Sequence, residues 1–266
     1  MIESIFTYQF MTDAILSMLF LSIVAGIVGT YIVVRRMVFV AGGITHASFG
    51  GIGIACYLGM PPLIGALLFA VLTAVGIETL GDKGKVRPDS AIAMLWSLGM
   101  AIGVLFMFMT PGYSSNLMGF MFGDVLAVSS ADVIASAIAA FLLVIVAVIF
   151  HRPILYVAFS PSFASLTRWH VRAISILMSI AVAVSLVMAI KAVGIILVLS
   201  LFTIPQSISN LFVKNMGYMM VLSSIIALIG SLSGLAVAFV FDLPAGAAIT
   251  AFLTIAFLIV KLCIRK

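Results

Sequence analysis

Residues 37–59 read MVFVAGGITHASFGGIGIACYLG, and this stretch sets the class of the fold. It is long enough to cross a bilayer as a helix, because about 20 apolar residues span the hydrocarbon core. Small residues recur at every fourth position, so one face of the helix carries almost no side chain. Such a face lets a second backbone approach closely in lipid. We therefore predict a tightly packed helix with the contact face Gly43, Ala47, Gly51, Ala55 and Gly59.

A histidine, His46, lies inside this apolar stretch, and the hydroxyls of Thr45 and Ser48 flank it in the sequence. Ionisable residues at membrane depth are costly and usually face a bundle interior or a water-filled path. Two interpretations fit His46. One is a neutral imidazole bonded to a backbone carbonyl in a tight helix crossing. The other is a transient contact for a cation, since imidazole suits zinc, copper, iron and nickel and conduction requires weak binding.

The composition of the whole chain is that of a polytopic membrane protein. Of 266 residues, 65% are hydrophobic and 8% are charged, and the mean hydropathy is +1.39, whereas soluble domains carry about 25% charged residues. No polar segment of domain size interrupts the chain, so residues 1–266 are predicted to form one integral membrane domain in the lipid bilayer. The net charge of +5 is explained by basic residues between spans. No basic patch with interleaved aromatics indicates a nucleic-acid partner.

Apolar runs predict an all-α bundle of nine transmembrane spans, with eight as the alternative. With nine spans, almost all basic clusters share one side, which the positive-inside rule assigns to the cytoplasm. The N-terminus is then outside and the C-terminus cytoplasmic. An eight-span bundle would move one terminus, and the least certain turn is the one at Lys191. The predicted spans are 14–34, 37–59, 63–80, 91–109, 133–150, 173–190, 192–212, 218–241 and 245–262.

The chain lacks the motifs of an enzyme. No GxxxxGK[ST] loop is present to cradle a phosphate, and no HExxH or GxSxG motif occurs. An intramembrane enzyme would need a nucleophile and a base, or a metal cage, at membrane depth. The spans offer little beyond His46 and a few hydroxyls. We therefore predict that the chain is not an enzyme and binds no cofactor of its own.

The predicted seventh span changes character along its length. Its first half is apolar, and its second half carries Thr203, Pro205 and Gln206 together with further hydroxyls. Proline inside a span frees a carbonyl group, which neighbouring groups or water must satisfy. The pattern fits either a structural kink or a broken helix beside a polar path.

The segment 151–172 is too long for a simple turn between helices. Its apolar residues Phe159, Phe163, Leu166 and Trp169 have the spacing of one face of a short helix. This pattern fits an amphipathic helix on anionic lipid or a docking helix for a cytoplasmic partner.

Several motifs, in order and at suitable spacing between Val34 and about Leu253, resemble the zinc/manganese family of ABC-transporter permeases. The residues that carry the resemblance are Arg35-Arg36-Met37, His46-Ala47-Ser48, Asp89-Ser90-Ala91-Ile92, Phe122-Gly123-Asp124-Val125-Leu126-Ala127-Val128, Val193-Gly194-Ile195-Ile196-Leu197-Val198 with Thr203-Ile204-Pro205, and Asp242-Leu243-Pro244-Ala245-Gly246.

This resemblance implies the all-helical fold of a type II importer permease in a prokaryotic cell (inner) membrane. It implies a homodimer that binds two cytoplasmic ATPase subunits, where ATP and magnesium would be held, and that receives a divalent metal from an extracytoplasmic binding protein. The metal would be zinc or manganese, with iron as a further candidate. An ATP-independent metal channel or secondary carrier is the alternative function.

The resemblance also implies roles for individual residues. The substrate pathway would be lined by His46, as the metal contact, with Thr45, Ser48, Thr203 and Gln206. A coupling helix for the ATPase would extend from about Ser160 to Trp169 and include Pro161, Phe163, Ala164 and Arg168.

The chain departs from the family pattern at a few positions. The family usually has an aspartate four residues before the histidine, where this chain has Gly42. In the coupling segment, Ser162 and Arg168 stand where an acidic residue and a glycine are common, and Gln206 replaces a small residue. If metal contacts this span, His46 would be helped by its dimer counterpart, by water or by backbone carbonyls.

Overall fold

The protein is a bundle of α-helices, in a computed structural model that describes residues 9–83, 87–110, 117–166 and 170–264. Eight of the helices are long and apolar enough to cross a membrane, namely α1 to α4, α6, α9, α12 and α13 as bounded below. A short 3-10 helix, Val125–Ala127, precedes α6. In chain order the helices are α1 Gln9–Val34, α2 Val38–Tyr57, α3 Pro62–Lys83, α4 Pro88–Met109, α5 Leu117–Phe122, α6 Ser130–Ile149, α7 His151–Phe159, α8 Pro161–Ala164, α9 Val171–Val193, α10 Val198–Leu201, α11 Ile204–Phe212, α12 Met216–Phe241 and α13 Ala245–Ile264.

The predicted spans correspond to these long helices except at the seventh. The largest difference in a boundary is at α1, which begins at Gln9 rather than Ala14. The helix continues that far because its first turn has a polar anchor: the Ser130 hydroxyl at the start of α6 donates to the Asp13 carboxylate over 2.8 Å. The all-α fold class predicted from the sequence is confirmed.

The helices run between two opposite ends of the bundle, and these ends differ in the charged residues that they carry. We call one the basic end, because it carries Arg35, Arg36, Arg87, Arg152, Arg172, Lys214 and Lys261. The other, called the opposite end, carries Asp13, Asp124, Asp132, Lys191 and Asp242. The Lys191 ammonium and the Asp132 carboxylate form an ion pair there, so the one basic residue predicted on this side is neutralised.

The chain between α9 and α12 crosses the bundle as a broken helix. It starts at the opposite end, where the amides of Ile195 and Ile196 donate to the carbonyls of Phe120 and Met121 instead of extending α9. Lower down, the Ser200 hydroxyl bonds Thr250 of α13 over 2.7 Å. At the basic end, the Ser209 hydroxyl donates to the Met219 carbonyl near the start of α12.

This crossing decides between the eight-span and nine-span alternatives. Within the described residues, the chain passes from end to end nine times, eight times as a long helix and once as α10 and α11. Pro205 lies in the first turn of α11, where its missing N–H costs no hydrogen bond. The proline therefore starts a short helix, as the broken-helix interpretation predicted, and does not kink a continuous one.

Glycine contacts hold α2 against α3 and α4. A Cβ atom on Gly51 would strike the Gly65 carbonyl of α3, and one on Gly53 would come within 2.6 Å of the Gly103 carbonyl oxygen of α4. Gly43 and Ala47 face the same helix, α4, through Ile92 and Gly99. The predicted contact face is confirmed except at Gly59, which lies beyond the end of α2 with φ +68° and no neighbour within 4 Å.

A polar cluster ties three helices together near the basic end. Glu78 of α3 accepts hydrogen bonds from Ser175 and Ser179 of α9, over 3.1 and 2.7 Å. The Arg35 guanidinium lies 3.5 Å from the same carboxylate oxygen and donates to the Tyr31 hydroxyl over 2.6 Å. Because polar groups at membrane depth must find partners within the protein, this cluster fixes the relative position of α1, α3 and α9.

The glycine contact predicts the effect of a single methyl group. Gly51→Ala would force α2 away from α3, because the obstacle is a backbone carbonyl and cannot rotate aside. We expect a loss of about 1–3 kcal/mol in the free energy of unfolding, measured by thermal unfolding in detergent. Gly119→Ala is the matched control, since nothing lies within 4 Å of its Cβ position. Equal stability of both variants would show that the close contact does not hold the bundle.

Candidate functional site

The candidate site is built around His46, on the face of α2 that meets α4. The imidazole ring of His46 lies flat on the indole ring of Trp96, with ring centroids 4.4 Å apart and planes 4° from parallel. Both side chains are half-buried. Among the described residues, the imidazole nitrogens have no hydrogen-bond partner. The backbone-bonded imidazole of the first interpretation is therefore not what the structure shows.

Gly42 lies one turn before His46 on the same face of α2. A Cβ atom there would lie 3.7 Å from the Trp96 ring and 3.2 Å from the Leu199 methyl group of α10. A side chain at position 42 would thus crowd the Leu199 methyl group of the broken crossing, whereas its Cβ atom would lie at an ordinary contact distance from the indole. Three elements, α2, α4 and α10, meet at this point.

The hydroxyls of Thr45 and Ser48 are engaged within α2 itself. The Thr45 hydroxyl donates to the Ala41 carbonyl over 2.9 Å, and the Ser48 hydroxyl donates to the Thr45 carbonyl over 2.6 Å. Both side chains are fully buried. Helical geometry turns Thr45 by 100° and Ser48 by 200° from His46, so these residues lie on different faces of the helix from the imidazole.

The broken crossing places Thr203 and Gln206 on different sides. The Thr203 hydroxyl donates to the Leu199 carbonyl over 2.6 Å and so bridges the break between α10 and α11. Gln206 is fully buried, and its Nε2 donates to the Ala25 carbonyl of α1 over 2.7 Å. Its Oε1 has no partner among the described residues. Gly29 of α1 makes room for this amide, because a Cβ atom there would strike it.

The described part of the chain contains no group of three or more His, Cys, Asp or Glu side chains that could hold a metal ion. A cation at His46 would therefore not be held by a cage of three or more such side chains from the described residues, and water or backbone oxygens would complete its coordination. Such a contact is weak, and weak contacts suit passage better than storage.

The predicted coupling segment lies at the basic end. Ser160 precedes α8, and its hydroxyl accepts from the Phe163 amide over 3.3 Å. Pro161 is the first residue of α8, and Ala164, its last residue, is buried. Phe163 is 54% exposed and packs its edge against Tyr156, and its apolar neighbours Phe159 and Leu166 are 61% and 84% exposed. Arg168 and Trp169, which the sequence also places in this segment, lie outside the described residues.

Family comparison agrees with this architecture over almost the whole chain. The family model described as the ABC 3 transport family matches residues 7–264. The chain belongs to that family.

Relatives cover nearly the full length of the chain. The manganese transport system membrane protein MntC of Listeria innocua is 30% identical over 265 residues, which is all of this chain and 94% of that protein. A Chlamydia muridarum protein named "Probable metal transport system membrane protein" is 36% identical over 89% of this chain and 83% of its own. A solved structure of PsaBC from Streptococcus pneumoniae in complex with a Fab superposes with a TM-score of 0.87 at 26% identity, covering 98% of this chain and 95% of that one.

Sequence reasoning missed Trp96 and the Glu78 cluster. Trp96 follows no spacing pattern that links it to His46, since the two lie on separate helices. Glu78 of α3 accepts hydrogen bonds from two serines of α9. Because it lies near the end of a predicted span, sequence reasoning did not separate it from the charges that lie between spans. A search for every ionisable or indole group inside a span would have found both.

The amide of Gln206 predicts a measurable anchor between α11 and α1. Gln206→Ala removes a buried hydrogen bond to Ala25 and leaves a cavity, so we expect a loss of about 1–3 kcal/mol in the free energy of unfolding. The control is Ser207→Ala, because its hydroxyl only bonds the Thr203 carbonyl of its own segment. Thermal unfolding in detergent would contradict the anchor if Gln206→Ala were no less stable than the control.

Proposed function

We propose that this chain is the membrane-spanning permease subunit of an ABC importer for divalent metal ions. The observation that carries the proposal is His46, whose ring nitrogens have no hydrogen-bond partner among the described residues and which lies where α2 meets the broken crossing. Membership of the ABC 3 transport family supports the transport class. The metal would pass this imidazole as substrate, with no resident site.

Manganese is the metal we place first. Relatives that match all or most of the chain are named as manganese or metal transport proteins. Carboxylate, carbonyl and water oxygens suit manganese, and imidazole is an acceptable nitrogen ligand for its neighbours in the first row, including zinc and iron. A single imidazole with oxygen ligands discriminates weakly, so metal choice would be made largely before the ion reaches this chain.

We propose that the energy comes from a separate ATPase, because the sequence has no phosphate-binding loop. The exposed apolar patch Phe159, Phe163 and Leu166 at the basic end is the docking surface for it. The basic end would face the cytoplasm by the positive-inside rule, which places the C-terminus there and the membrane as the prokaryotic cell (inner) membrane. The complete importer would contain two copies of this chain, two ATPase subunits, which hold ATP and magnesium, and an extracytoplasmic metal-binding protein at the opposite end.

Alternating access would follow from the broken crossing. Two short helices joined at Phe202 and Thr203 can change their angle with less loss of hydrogen bonding than a continuous helix can. The reason is that the Thr203 hydroxyl already donates to the Leu199 carbonyl at the break. When the ATPases move α8, the displacement would be transmitted through the bundle to α10 and α11. The resulting change in their angle would switch the side of the membrane to which the path beside α2 opens.

The His46 contact predicts the outcome of one substitution. His46→Ala in the complete importer should lower manganese uptake at least about tenfold, a loss of the size expected when a metal contact is removed, while assembly and basal ATP hydrolysis persist. His151→Ala is the control, because that histidine lies at the basic end beside α12. Unchanged uptake would make His46 a packing residue, and full uptake without any ATPase would identify a channel or secondary carrier instead.

The docking patch predicts a defect of a different kind. Phe163→Asp should weaken binding of the ATPase, because a charge replaces an exposed aromatic contact at the centre of the patch. Copurification of the ATPase with the permease measures the effect. Phe212→Asp is the matched control, an equally exposed phenylalanine at the end of α11. Equal retention of the ATPase by both variants would rule out the patch as the docking surface.

A further inference from the structure

We propose that Trp96 is the second residue of the substrate site and that it sets the orientation of the His46 imidazole. This inference rests on the proposed function, since it assigns the residue that works with His46 on the same cation. The ligand class is a partly hydrated divalent transition-metal ion.

The first argument is the geometry of the stack. The two rings are parallel to within 4° at a centroid distance of 4.4 Å, so the indole packs against one face of the imidazole. A metal binds an imidazole nitrogen in the plane of the ring, not above it. The stack therefore fixes the ring plane, and neither nitrogen has a hydrogen-bond partner among the described residues.

The second argument is that the surrounding residues hold the indole in this place. Phe39, one turn before Gly42 on α2, also touches Trp96, with ring centroids 6.0 Å apart. The bare backbone of Gly42 lies between Phe39 and His46, and the indole runs over it. Leu199 of α10 closes the same spot. The indole is thus packed along three successive turns of α2 and beside the broken crossing.

The third argument is electrostatic. A cation within about 6 Å of an indole face is attracted by the ring quadrupole. A metal about 2.1 Å from an imidazole nitrogen that lies over the indole would come within that distance of the indole face. Within the described residues, His46 belongs to no group of three or more His, Cys, Asp or Glu side chains that could hold a metal ion. The indole would supply attraction without a formal negative charge, which holds the ion weakly enough to release it.

The test uses tryptophan fluorescence, because the chain has only two tryptophans, Trp96 and Trp169. Purified full-length permease is titrated with Mn²⁺ alone, and the emission of Trp96→Phe is subtracted from that of the unmodified chain. We expect saturable quenching of the Trp96 emission that is lost in His46→Ala and retained in His151→Ala. His151→Ala is the control because that histidine lies at the basic end, beside Gly217 of α12.

Uptake by the complete importer supplies the second measurement. Trp96→Leu should raise the Mn²⁺ concentration for half-maximal uptake about tenfold, and Trp96→Phe should restore most of it, since a phenyl ring can still stack. Folding of each variant is checked by thermal unfolding in detergent.

The outcomes separate this inference from the proposed function. Quenching that persists in His46→Ala, or uptake that depends on His46 and is indifferent to Trp96, overturns the role of Trp96 and leaves the importer intact. Saturable, His46-dependent quenching in a chain whose complex imports no divalent metal supports the stacked site and refutes the importer.

Discussion

Direct contact between helix backbones is the constraint on which the rest of this structure depends. In lipid there is no hydrophobic force to press one apolar helix on another, so close packing has to supply the attraction. The glycines of α2 allow this contact with α3 through Gly65 and with α4 through Gly99 and Gly103. Because α4 is held so closely, its Trp96 reaches over Gly42 to His46. The same small residues that pack the helix therefore also create the stacked site.

Much of the architecture followed from sequence because membrane helices obey simple rules. Length, hydropathy and basic-residue placement predicted the long helices and the odd number of crossings. The recurrence of small residues at every fourth position predicted the contact face of α2. These signals are local, and each can be counted along one helix without knowledge of its neighbours.

The remainder depended on contacts between segments. From its sequence, the seventh crossing was predicted to be one span. In the structure, the amides of Ile195 and Ile196, which would have continued α9, donate to the carbonyls of Phe120 and Met121, which are far away in sequence. Gln206 was predicted to line the path and instead bonds the backbone of α1 in the described structure, a placement that depends on Gly29. Its role in transport stays a prediction. No periodicity in one helix can reveal which residue of another helix will stack on His46.

The broken crossing has a consequence for the way this protein enters the membrane. Residues 198–212 form a stretch of 15 residues that is shorter than the bilayer core, and six of these residues are polar. A segment of that length is too short and too polar to insert into the bilayer as an independent membrane helix. The Ser200 hydroxyl, the Gln206 amide and the Ser209 hydroxyl of this segment bond α13, α1 and α12, so the segment has little to gain from the bilayer until those helices are in place. We therefore expect α10 and α11 to be inserted together with α9 and α12, as the last part of the bundle to become ordered during biosynthesis.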